Sequence, residues 1–259
     1  MDCEPIVNED GHKKNDCELN ASKRLLTSLL EKYGKERSIL EEDSLYAINP
    51  HINQILAQGW SFVLGVKPKR HRAIFSLLEG RKERNQLKTI TIKANGKTQT
   101  YSFMNNVPLN NQKDRVRVNV LHYQEEDKNR EQKIFTWVGD IKINKANAAL
   151  LTLIGGSRWK IENETFNTLK NQGYHFEHNF GHGNKNLSIV LAMLMFLAFT
   201  VDEIQQHSCT LFKALWNHIK QKTKLCESMR ACCTILPSQS MEMLVLNMAQ
   251  IWNIRYPDP

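Results

Sequence analysis

The sequence predicts an α/β fold that is interrupted by an antiparallel β segment and ends in helices. Three observations carry this. Between residues 20 and 66 the hydrophobic pattern alternates between helical and strand periods, the texture of an α/β unit. Across residues 85–143 it changes to short alternating runs around an Asn95-Gly96 turn. Beyond Asn144 helical spacing dominates to the end of the chain. These changes divide the chain into 1–84, 85–143, 144–206 and 207–259.

Taken in order, residues 1–18 are polar, with Asp10-Gly11 as a turn and no signal-peptide pattern. A helix follows over Asn20–Tyr33. Asn20 can cap it, Leu25, Leu26, Leu29 and Leu30 form one stripe, and Gly34 closes it. Ser38–Glu42 reads as a short strand ending at Asp43. Asn49-Pro50 opens a second helix through Ala57, stopped by Gly59. Trp60–Val66 (WSFVLGV) is a buried type of strand, ended by Lys67-Pro68.

Residues 67–84 (KPKRHRAIFSLLEGRKER) are basic. Strands are then expected over Leu87–Ile92, Thr98–Phe103, Val116–Tyr123 and Lys133–Val138. Leu187–Gln206 reads as a strongly apolar helix, Thr210–Lys222 as an amphipathic one and Met241–Ile251 as the last. The uninterrupted apolar run Ile189–Val201 is shorter than a bilayer span, so a buried helix and no membrane are expected.

The 259 residues are 41% hydrophobic, enough for one large domain or two small ones, and the net charge is +8. An anionic partner fits that charge, nucleic acid first among them. The six cysteines show no CxxC spacing, which argues against a zinc site or a disulfide framework and for free thiols in a reducing cytosol.

Several groupings bear on chemistry. Arg158 and Glu162 share a helix face at about 100° per residue, with Trp159, Ile161, Phe166 and Leu169 as apolar packing. They present a carboxylate to a metal, or they form a plain surface ion pair. Asp43 sits where a strand ends, the place where α/β folds gather functional groups. An aspartate there is also an ordinary turn former. Lys67, Lys69, Arg70 and Arg72 would face the same strand end as a DNA contact, or form a solvated loop. His175, Glu177, His178 and His182 match no zinc spacing and read as part of a structured loop.

The run RWKIENETFNTLKNQGY, continuing as HFEHNFGHG, resembles the last catalytic motif of DDE transposases of the insertion-sequence-four group. On that resemblance Arg158 is the signature arginine and Glu162 the third catalytic carboxylate. Lys170 is the signature basic residue, one position later than the signature places it, where Leu169 stands. Gly155 stands where the signature has a tyrosine. EDSLYAINPHI followed by WSFVLGVKP is similar to the second motif, which makes Asp43 the second metal ligand and Lys67 the basic residue beside it.

The resemblance covers residues 3–250. It implies an RNase H-like catalytic core interrupted by a β insertion, and two Mg²⁺ ions held between three carboxylates, of which Asp43 would be the second and Glu162 the third. Double-stranded DNA at transposon ends, a homodimer in a synaptic complex and a bacterial cytoplasmic location follow from it. Trp137, on the last insertion strand, would stack on an extruded base; a core tryptophan is the alternative.

In that family the first aspartate lies well upstream of the second, and only 42 residues precede Asp43 here. The expectation is therefore the C-terminal part of a transposase, without the first aspartate, inactive alone and marginally stable. The alternative is a non-catalytic DNA-binding fragment that interferes with a full-length enzyme.

Overall fold

A computed structural model describes residues 2–6, 16–35, 38–113, 115–129, 131–178 and 186–255. It divides into two compact units, Met1–Arg158 and Trp159–Pro259.

The first unit is a mixed α/β structure around a six-stranded sheet in the order β1-β2-β6-β5-β4-β3. Helix α1 (Glu18–Tyr33) starts one turn earlier than Asn20 predicts, at Cys17. It ends as expected, with the Gly34 N–H donating to the Leu30 carbonyl at 2.8 Å. β1 (Ile39–Glu42) and β2 (Ser61–Gly65) are parallel, with Leu40 opposite Phe62. The crossover between them is α2 (Asn49–Ala57), which has a proline in its first turn, where a missing N–H costs nothing. α3 (Arg72–Glu83) follows the basic turn.

The alternating segment forms β3 (Lys88–Ala94), β4 (Lys97–Pro108), β5 (Arg117–Glu126) and β6 (Gln132–Gly139), paired antiparallel. Asn95 and Gly96 both take positive φ, +53° and +74°, the backbone that a tight two-residue hairpin turn needs. These strands do not make a sheet of their own. β6 pairs antiparallel with β2, Val138 opposite Leu64, so the parallel pair and the antiparallel strands are one sheet. Two buried strands with unpaired backbone would each forfeit hydrogen bonds, and pairing them satisfies both.

Side-chain alternation splits the core between the two faces. Phe62, Leu64, Met104, Val120 and Val138 pack with Leu26, Ile52, Ile55, Ile74 and Leu78 from α1, α2 and α3. Val63, Tyr101, Phe103, Leu121, Tyr123 and Trp137 point the other way, onto Leu151 of α4 (Ala148–Gly156).

After α4 the chain turns at Ser157 and continues helically through α5 (Arg158–Lys160), a π-helical stretch (Ile161–Phe166) and α6 (Asn167–Asn171). The apolar cover expected around Glu162 is only partly present. Leu169 is fully buried, but Trp159 and Ile161 are about half exposed, at 53% and 55%. Widening to a π turn shifts which residues share a face, so the spacing that aligns all four in an α-helix no longer does so.

The second unit is helical: α7 (Leu187–Ser208), α8 (Thr210–Ile219), α9 (Lys222–Ile235) and α10 (Met241–Ile251). Phe212, Leu215, Leu225, Leu244, Val245 and Met248 form its core between the last three. Cys209 and Ser240 cap α8 and α10 by accepting the amides of Phe212 and Met243. α9 is not among the helices expected from the sequence, although Leu225, Met229 and Cys232, at helical spacing, turn into this core. All six cysteines are free thiols.

α7 departs from expectation. Its helix runs for 22 residues, and by length and composition it is long and apolar enough to cross a membrane; only 6% of its apolar window is buried. Among its side chains Phe199 is buried, whereas Val190, Leu194, Leu197 and Ile204 are 51–60% exposed. Counting only the uninterrupted apolar run understates the helix. Hydrophobicity also says only that a face would gain from cover, not that the fold supplies it.

Candidate functional site

The site sits where β1 and β2 end side by side. Because the two strands are parallel and in register, Glu42 lies opposite Leu64, and both chains leave the sheet at the same end. Asp43 follows β1 directly and is half-buried. Its Oδ1 accepts the Leu45 N–H at 2.7 Å, and its carbonyl accepts the Tyr46 N–H at 3.2 Å. Asp43 is therefore a turn former in this structure, whatever else it does.

Lys67 leaves β2 at the neighbouring position. The turn Lys67–His71 closes on itself, with the Lys67 carbonyl accepting the amides of Arg70 at 3.1 Å and His71 at 2.9 Å. Arg70 Nη2 donates to the Leu45 carbonyl at 3.3 Å, which ties this turn to the Asp43 turn. Lys67, Lys69, Arg70 and Arg72 are all exposed, Arg72 as the first residue of α3. The structure thus brings the four predicted cations and Asp43 to one end of the sheet.

Two more carboxylates flank Asp43, and sequence reasoning passed over both. Glu42 hydrogen-bonds His51 Nε2 of α2 at 2.6 Å, and that ring is 1% exposed. Glu41 faces away from α2. Burial pushes its pKa up to about 7, with Glu42 and Asp43 adding to the rise and the Arg158 guanidinium opposing it. In the first unit, then, Arg158 acts electrostatically on Glu41. Spacing along one helix directs attention to Glu162 instead and cannot show a strand lying alongside.

Asp43 belongs to the first unit and Glu162 to the second. Glu162 lies on the exposed side of the π-helical stretch. Lys170 is exposed and pairs with Glu177 at 2.7 Å. That surface pair contributes on the order of 0–1 kcal/mol, too little to fix the following loop. The aromatic contacts do more. Phe176 meets Phe196 at 5.1 Å and Phe166 at 6.5 Å between ring centroids, and its N–H donates to the Leu169 carbonyl at 3.1 Å. His175 and His178 are exposed, while His182 lies outside the described residues.

Leu169 and Gly155 are each set by packing. Leu169 is 0% exposed, and a cation at that position would have to give up its water. Gly155, where the signature has tyrosine, lies against Trp137. A Cβ on Gly155 would stand 2.5 Å from the indole nitrogen.

Trp137 is accordingly a core residue, 6% exposed, with Nε1–H donating to the Gly155 carbonyl at 3.0 Å. Its ring is not presented to a base. Phe135, stacked on it at 5.6 Å, is the exposed ring of that strand.

Among the described residues no three His, Cys, Asp or Glu side chains are grouped to hold a metal ion. Compared with protein-family models and with curated proteins, the chain matches none.

Proposed function

We propose that the chain binds double-stranded DNA as part of a DDE-type transposition reaction, on an RNase H-like core with Asp43 and Glu162 as its acidic residues. One observation carries the reading. A carboxylate and four exposed cations converge at the ends of two adjacent parallel strands, Asp43 after β1 and Lys67, Lys69, Arg70 and Arg72 after β2. In α/β sheets ligands bind at that end. Cations beside an acidic residue suit a phosphodiester approached by a metal-bound nucleophile.

Mg²⁺ is the ion such a reaction uses, and when bound it would activate the attacking oxygen and stabilise the leaving one. Carboxylates are the right kind of donor for it. In number the described residues do not fit, since no three donors are grouped. The same observation favours a second reading, DNA binding without cleavage, in which the chain interferes with an active transposase.

Fluorescence anisotropy on double-stranded DNA tests the shared part. Binding should weaken as salt rises, and K67E/R70E should weaken it at least about tenfold and flatten the salt slope by about two. Salt-independent binding, or a variant that binds like the wild type, would remove the basis of both readings. A nicking assay with Mg²⁺ or Mn²⁺ separates them. Cleavage lost in Glu162→Ala and in Asp43→Ala would select the catalytic one, and DNA binding without cleavage the second.

A further inference from the structure

A buried histidine sits inside the most basic stretch of the chain. Residues 67–72 read KPKRHR, and Lys67, Lys69, Arg70 and Arg72 are exposed, yet His71 is 7% exposed. It stands at the N-cap position of α3 without a side-chain cap bond to that helix, and its ring instead makes two hydrogen bonds with opposite roles. Nδ1 accepts the Lys67 N–H at 3.3 Å, and Nε2 donates to the Ala47 carbonyl at 3.1 Å. Only the neutral tautomer with its proton on Nε2 makes both. Burial lowers the pKa of the ring and so favours that neutral form.

The partners matter more than the bonds themselves. Lys67 is where the chain leaves β2, and Ala47, itself 2% exposed, lies in the loop between Asp43 and α2. The imidazole therefore joins the exit of β2, the start of α3 and the exit of β1. The other described link between the two exit loops is the Arg70–Leu45 hydrogen bond, made at the exposed surface at 3.3 Å. An exposed arginine contact exchanges readily with water, whereas a buried imidazole with both nitrogens engaged does not.

We propose that His71 is a positioning residue that clasps the two strand-exit loops, holding Lys67 and Arg70 beside Asp43 as one surface for the phosphates of a nucleic acid. The choice of ligand rests on the DNA reading above; the clasp is independent of it.

Three variants separate the two bonds. His71→Asn keeps an acceptor near the Nδ1 position, His71→Gln keeps a donor near Nε2, and His71→Phe keeps neither. Nitrogen-15 spectra of the wild-type ring should show the neutral Nε2–H tautomer. Native-state exchange of the Lys67 amide should quicken at least about tenfold in His71→Phe and His71→Gln and stay near wild type in His71→Asn. DNA affinity, measured well below the melting temperature, should fall in His71→Phe. It should hold in Ile143→Val, a core substitution on the opposite face of the sheet.

A ring protonated on Nδ1, or an unchanged Lys67 exchange rate in His71→Phe, overturns the assignment. So does unchanged DNA affinity in that variant. If His71→Phe does not fold, the contrast between the Asn and Gln variants decides. If the wild type binds no DNA, the DNA reading falls and the exchange rates alone judge the clasp.

Discussion

The indole N–H of Trp137 donates to the carbonyl of Gly155 at 3.0 Å, and a side chain on Gly155 would intrude on that same ring, its Cβ 2.5 Å from the nitrogen. β6 and α4 are thus joined through a glycine. Gly155→Ala should destabilise the protein by about 1–3 kcal/mol, because the ring must move and its hydrogen bond lengthens. Urea melts followed by tryptophan fluorescence measure this. A variant as stable as the wild type would show that the ring has room to give.

Glu42 and His51 form a close polar contact at the strand end, 2.6 Å apart with the imidazole 1% exposed. Removing one partner strands the other. Glu42→Ala and His51→Ala should each cost about 2 kcal/mol, and the double variant less than their sum, because a lone buried polar group is the expensive state. A double-mutant cycle by chemical denaturation reads the coupling. Strict additivity would mean the two side chains do not depend on each other.

Tyr174 and Asp202 make a matching contact in the second unit. The phenol donates to the carboxylate at 2.5 Å, while Arg230 Nη2 holds the Gly173 carbonyl at 2.6 Å. Burial raises the Asp202 pKa above its ordinary 3.8, opposed by the Tyr174 hydroxyl and by Lys222. A raised carboxylate pKa means the folded state keeps a proton that the unfolded chain has lost. Its contribution to stability is therefore complete below pH 3.8 and is lost as pH rises through the folded pKa. Asp202→Asn should flatten that part of the stability–pH curve. Parallel curves for variant and wild type over that window would sink the assignment.

The strand-end site was half legible in the sequence. Asp43 and the cations from Lys67 to Arg72 are visible as residues that end two adjacent hydrophobic runs, and two runs joined by one helix pair in parallel. His71, His51 and Glu42 were not. Nothing in the spacing of KPKRHR marks one member as buried, and nothing in EED shows which carboxylate turns toward α2. Burial of a polar side chain is decided by partners that other elements bring.

The sequence by itself determined the local units. The Asn95-Gly96 turn, the Gly34 stop and the bounds of α10 follow from backbone preferences and near-neighbour spacing, which act within a few residues and need no distant partner. Tertiary structure alone decided which surfaces meet. It joined β6 to β2 in one sheet, turned Trp137 inward, buried Leu169 rather than Lys170, and buried only Phe199 of α7. A hydrophobic side chain gains by cover whatever supplies it. Whether cover arrives depends on residues far away along the chain, as Trp137 depends on a glycine at 155 to make room for its ring.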